Sequence, residues 1–162
     1  MIVVTIGTSF PFDRLLDSVA RIRTDEPILV QRGHSTWRAD GVECSDFWPF
    51  PILIDHVRRA RLVITHAGVG SILMCLQNGK RPIVTARLRR FGEAVDDHQL
   101  ELAHRLHEAG LVTLVEDLRR LPAVVADSTE TDIRPANARS LVDDLRAYLR
   151  DRVRAVAAAR TS

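Results

Sequence analysis

The sequence predicts an α/β fold: one domain built on a doubly wound, Rossmann-like parallel sheet. Three observations predict it. Short apolar runs rich in Val and Ile recur along the chain, as in strands buried on both faces. Stretches with helical apolar spacing separate them, which makes βαβ units joined by right-handed crossovers. Several runs end in glycine, where the chain must turn sharply. The size agrees, since 162 residues at 18.2 kDa is one ordinary domain. Apolar residues at 46% and charged residues at 27% fit a globular chain rather than a disordered one.

The elements follow in order. Residues 2–6 are a β-branched run closed by Gly7, and they read as a buried strand rather than a signal peptide. Leu15, Leu16, Val19 and Ile22 share a helix face. Residues 28–30 are a second strand before Gly33, and 42–47 a third before the breakers Trp48-Pro49-Phe50-Pro51. Residues 52–60 predict a short helix with Ile54 and Val57 inward, and 62–65 a fourth strand. The turn His66-Ala67-Gly68-Val69-Gly70 leads to an apolar helix over 71–78, stopped by Gly79. A strand over 82–85, a helix marked by Leu100, Ala103, Leu106 and His107, and a strand over 111–115 complete the sheet. Residues 127–132 read as a polar connection. Residues 134–160 then carry Leu141, Val142, Leu145, Leu149, Val153 and Val156 in the pattern of a long amphipathic helix.

Charge and cysteines bound the setting. A formal net charge of +2 gives little ground for a nucleic-acid partner. Cys44 and Cys75 form no spacing motif, so a reducing cytoplasm is expected. No run approaches the roughly 18 apolar residues of a spanning helix. No Asp-x-Asp follows a strand, and His104, His107 and Glu108 lack HExxH spacing, so no metal is expected.

In such sheets ligands sit beyond the carboxyl ends of the strands. The loops to inspect are therefore 7–13, 47–52, 66–71 and 87–99. The turn His66-Ala67-Gly68-Val69-Gly70-Ser71 combines glycines, a hydroxyl, an imidazole and the free N–H groups of a helix start, which suit a diphosphate. A turn that binds nothing has the same spacing. It lacks the lysine of a Walker A loop and the third glycine of a dinucleotide fingerprint. In 92–99, Glu93, Asp97, His98 and Gln99 can reach sugar or ribose hydroxyls. Asp96 and Gln99 also have capping-box spacing. Gly7-Thr8-Ser9 offers oxyanion contacts or helix capping. Asp13 and Arg14 read as a surface pair, and Trp37, Trp48 and Phe50 as core or rim.

Together these motifs resemble the C-terminal domain of glycosyltransferase family 28. The nearer likeness is to its one-domain members, the cytosolic subunit of the dolichol-linked UDP-GlcNAc transferase and its bacterial exopolysaccharide and capsule counterparts. The residues that carry it are Val4-Thr5-Ile6-Gly7-Thr8, Phe10-Pro11-Phe12-Asp13-Arg14-Leu15, the stretch 60–71, Gly79-Lys80-Arg81-Pro82-Ile83-Val84, and Gly92-Glu93 through Asp97-His98-Gln99-Leu100. The resemblance implies a GT-B donor-type domain that binds a UDP-sugar without a metal or other cofactor. It implies that His66, Gly68, Gly70, Ser71, Thr8 and Ser9 meet the diphosphate. Glu93, Asp97, His98 and Gln99 would meet sugar and ribose, and backbone at Phe50 and Ile52 the uracil. Related transferases carry a ribose-binding glutamate three residues after the serine, where this chain has Met74.

The implied activity is that of the donor-binding, catalytic subunit of a two-component inverting hexosyltransferase. It would move a sugar from a UDP-sugar to a lipid-linked saccharide in exopolysaccharide or capsule biosynthesis. A membrane-anchored partner glycosyltransferase subunit would supply the acceptor half and hold the chain at the inner membrane face. The general base would come from that partner, with His98 or Asp97 as substitutes. The alternative is a non-catalytic activator module of a partner transferase. A nicotinamide-dependent enzyme is a third reading, opposed by the missing glycine and by Gln31-Arg32-Gly33 where an acidic residue would close the second strand.

Overall fold

A computed structural model describes residues 1–129 of the chain, all within one compact unit. Six strands form a single parallel sheet: β1 (Ile2–Thr5), β2 (Ile28–Gln31), β3 (Val42–Ser45), β4 (Leu62–His66), β5 (Ile83–Thr85) and β6 (Thr113–Leu114). Their order is β3-β2-β1-β4-β5-β6. The helices are α1 (Asp13–Val19), α2 (Phe50–Arg59), α3 (Val69–Gln77), α4 (His98–Glu108) and α5 (Leu121–Asp127).

The two faces of β1 divide the core. Ile2 and Val4 join Leu15, Leu16 and Val19 of α1 and Leu121 and Val125 of α5. Val3 joins Val57 of α2 and Met74 and Cys75 of α3 on the opposite face. Both layers exclude water completely from β1, whose Ile2, Val3 and Val4 are 0% exposed. Burial of each such side chain contributes about 1.5–3 kcal/mol. Met74, standing where relatives carry a glutamate, is buried here as a core contact.

Strand order reverses between β1 and β4, which pair in register from Ile2–Leu62 to Thr5–Thr65. The helices that follow those two strands pack on opposite faces of the sheet, the arrangement that leaves a ligand crevice beyond the strand ends in open α/β sheets. The 7–13 and 66–71 loops therefore share one site.

Several boundaries differ from the sequence expectation. The second helix begins at Phe50 because Pro51 sits in its first turn, where a missing N–H costs nothing. The third begins at Val69, inside the glycine turn, so Gly70 is helical. Two short 3-10 turns, Arg89–Phe91 and Leu118–Arg120, and helix α5 had no clear signal in the sequence. The expected helix over 134–160 lies outside the described residues, as do residues 130–132 of the 127–132 connection, whose first residue instead ends α5. No helix among the described residues is long and apolar enough to cross a membrane.

Candidate functional site

The crevice is built around His66, the last residue of β4. Its imidazole is buried between two glycines. A Cβ on Gly7 would stand 2.6 Å from His66 Cε1, and one on Gly68 would stand 2.3 Å from Nε2. Gly7 also has φ +72, a conformation that L side chains rarely adopt. These two glycines are therefore demanded by the ring they enclose. Burial, reinforced by the positive charge of Arg87, pushes the His66 pKa down to about 3. The ring is neutral at physiological pH, with one N–H to donate.

Gly70 is different. A Cβ there meets nothing within 4 Å, and the residue is exposed in the first turn of α3. Glycine inside a helix costs about 0.5–1 kcal/mol relative to alanine. Nothing within the described residues requires it, so the open space above it is what the glycine preserves. No side chain caps α3, whose N-cap is Gly68. The Ile72 N–H returns to the Gly68 carbonyl at 3.0 Å, which leaves the preceding N–H groups of the helix facing outward. Ser71 is half-buried in the same turn.

Thr8 and Ser9 are exposed in the loop after β1. They cap no helix, because α1 starts only at Asp13 with Phe12 as its N-cap. That loop is held from beneath by Arg87. The side chain is 2% exposed, and its Nη2 donates to the carbonyls of Ile6 and Phe10. The guanidinium carbon lies 5.4 Å from the centre of the Phe12 ring, and Nε has no partner. In the sequence Arg87 stands in a basic cluster with Arg81, Arg89 and Arg90. The only hint of burial was its place two residues after a strand.

The 87–99 segment is tied down by its own acceptors. Glu93, 7% exposed, takes both of its carboxylate oxygens to Arg14 at 2.8 Å, and Oε2 also accepts from the Leu88 N–H at 3.1 Å. Asp97 Oδ1 accepts from the Arg89 N–H at 2.8 Å. Gln99 Oε1 accepts from the Arg87 N–H at 3.2 Å. The capping box is therefore not formed. The N-cap is Asp97, whose carboxylate takes the first N–H of the 3-10 turn, while the Gln99 amide oxygen goes to Arg87, ahead of that turn. Asp96 instead accepts from the His98 N–H at 3.1 Å and lies 3.2 Å from its Nε2.

The expected Asp13–Arg14 surface pair is not formed either. Asp13 accepts from Ser35 Oγ and Arg14 reaches Glu93, since α1 presents them to different neighbours. Trp37 and Trp48 are half-buried at the rim. Phe50 and Ile52 stand exposed on the first turn of α2, with β2 and β1 between β3 and β4. His107 Nδ1–H donates to the Val112 carbonyl at 3.2 Å, and His104 lies 3.5 Å from Glu116.

Comparison with known proteins adds three findings. Residues 1–145 match the glycosyltransferase family 28 C-terminal domain. Among curated relatives, the UDP-N-acetylglucosamine transferase subunit ALG13 of Yarrowia lipolytica is 32% identical over 124 residues, covering 65% of this chain and 60% of that protein. The protein of the same name from Homo sapiens is 41% identical over 122 residues, covering 67% of this chain and 10% of that protein. The chain thus spans well under two thirds of either. Among solved structures, the glycotransferase of kitacinnamycin superposes with a TM-score of 0.61 at 19% identity, over 93% of this chain and 39% of that one. The glycosyltransferase SnogD from Streptomyces nogalater gives 0.51 at 19% identity, over 86% of this chain and 34% of that one. These two likenesses show the fold alone, an α/β domain on a parallel sheet.

Proposed function

From the premise that the chain belongs to glycosyltransferase family 28, by its C-terminal domain, we propose that it is the donor-binding subunit of a two-component inverting hexosyltransferase. The reaction moves a sugar from a UDP-sugar to a lipid-linked saccharide, in exopolysaccharide or capsule biosynthesis. The observation that carries this reading is the uncapped start of α3, where the exposed Gly70 leaves open space in place of a side chain.

The chemistry follows from that geometry. Breaking the bond between the anomeric carbon and the diphosphate oxygen leaves negative charge on UDP. Fixed N–H groups at Val69, Gly70 and Ser71, the Ser71 hydroxyl and the positive end of α3 meet that charge without reorganising. Thr8 and Ser9 face it from the other side, and neutral His66 holds the two loops at a fixed separation. In this reading no metal takes part at the diphosphate. Glu93 acts through the loop it fixes, while Asp97, His98 and the free amide nitrogen of Gln99 line the sugar side. At the start of α2, Pro51 has no N–H and Ile52 donates to Pro49 O at 2.9 Å, so the Phe50 N–H remains for uracil.

Inversion needs a base on the acceptor hydroxyl. We assign it to a membrane-anchored partner subunit, which also brings the lipid-linked acceptor and places the chain at the cytoplasmic membrane face. The relatives named as transferase subunits support a two-component arrangement. A transfer assay on membranes with a panel of UDP-sugars, run with Gly70→Val and Gln99→Ala variants, tests the reading. Loss of transfer in both variants supports it, whereas intact transfer would show an activator module that holds no donor.

A further inference from the structure

Arg87 is a buried cation that no carboxylate touches among the described residues. Burying a charge costs several kcal/mol unless it is paired. Arg32, also buried, is paired with Asp46 at 2.5 Å. Arg87 has two neutral carbonyls and an Nε without a partner. Glu93 is the carboxylate whose charge reaches it, and both Glu93 oxygens are already held by Arg14. A methionine would fill the same space against Phe12 at lower cost. The two carbonyls it binds, Ile6 and Phe10, are the ends of the loop that carries Thr8 and Ser9.

We propose that Arg87 is a positioning residue for the donor diphosphate. It clamps the two ends of the 7–10 loop from beneath and lends that loop the positive field of a guanidinium shielded from water. The inference rests on the donor-site reading above. In a site of low dielectric a charge acts over several ångströms, so Arg87 need not touch the phosphates. The compensation arrives with the ligand, whose two phosphates supply the missing negative charge.

Calorimetry with UDP and with uridine separates the possibilities, because only UDP carries the phosphates. Arg87→Met lowers UDP affinity by about tenfold or more while uridine stays within about twofold, and Arg87→Lys, which keeps the charge, retains most of the UDP affinity. In the wild-type chain, the Arg87 Nε–H resonance shifts on adding UDP and not on adding uridine. The inference is overturned if Arg87→Met weakens both ligands equally or neither. It is overturned equally if Arg87→Lys falls as far as Arg87→Met, or if the Nε–H resonance ignores UDP. A wild-type chain that binds uridine and UDP alike overturns Arg87 alone; one that binds neither overturns the donor site as well.

Discussion

Arg14 and Glu93 are joined by two parallel hydrogen bonds, Nε to Oε1 and Nη2 to Oε2, both 2.8 Å long and 79 residues apart in sequence. Arg14 also donates to Ala86 O at 3.1 Å. The start of α1 is thereby fixed to the segment after β5. Glu93→Ala is expected to cost about 2 kcal/mol, since it strands a half-buried guanidinium. Urea denaturation measures that. Arg14→Ala with Glu93→Ala should cost much less than the sum of the singles, as a double-mutant cycle reports for directly paired residues.

Gly70 separates stability from binding. Gly70→Ala places a methyl in open space and removes glycine's helix penalty, so stability should rise by about 0.5–1 kcal/mol. UDP affinity should fall in the same variant. A change of the same sign in both measurements would contradict the role given to this position.

Gly68 makes the opposite case. A Cβ there would collide with His66 Nε2. Gly68→Ala should destabilise the chain by about 1–3 kcal/mol, the usual cost of overpacking. Shortening the offending side chain in His66→Ala should remove most of that penalty in the double variant. Thermal melts of the four proteins give the coupling.

The His66 ring should also shape stability against pH. Its folded pKa of about 3 lies below the ordinary histidine value of 6.5, so the unfolded chain binds a proton that the folded chain refuses. Stability is therefore fully present above about pH 6.5 and falls as pH drops toward 3, by about 1.4 kcal/mol per unit. Glu26 adds a second loss only lower down. Its carboxylate, held to about 2 chiefly by the hydrogen bond from Arg61, favours the folded state above its usual value near 4.5. Between pH 7 and 5 the expected loss from His66 is about 2 kcal/mol. Denaturation curves at both values test it, and His66→Asn should flatten the difference.

The fold was largely legible because each β-run is short, apolar and followed by a turn residue. All six expected strands appear; four are shorter than their apolar runs, while the second and fourth extend one residue further, to Gln31 and His66. Gly79 marked a helix end from sequence alone. What sequence could not show was partner choice across distance. Arg14 sits beside Asp13 in the chain, yet its partner is Glu93. Gln99 had the spacing for a local cap, yet the Arg87 N–H, twelve residues earlier, takes its oxygen. The glycines of the 66–71 turn looked alike, and only the placement of the His66 ring shows that Gly68 serves the fold and Gly70 the space outside it.

The central claim is that the crevice between β1 and β4 holds the diphosphate of a UDP-sugar. Isothermal calorimetry of the wild-type chain and Gly70→Val with UDP tests it most directly. The expected result is saturable binding to the wild type and none to Gly70→Val, with the variant's melting temperature unchanged. Equal binding by both proteins, or no heat with UDP or any UDP-sugar whether or not the partner subunit is present, would contradict it.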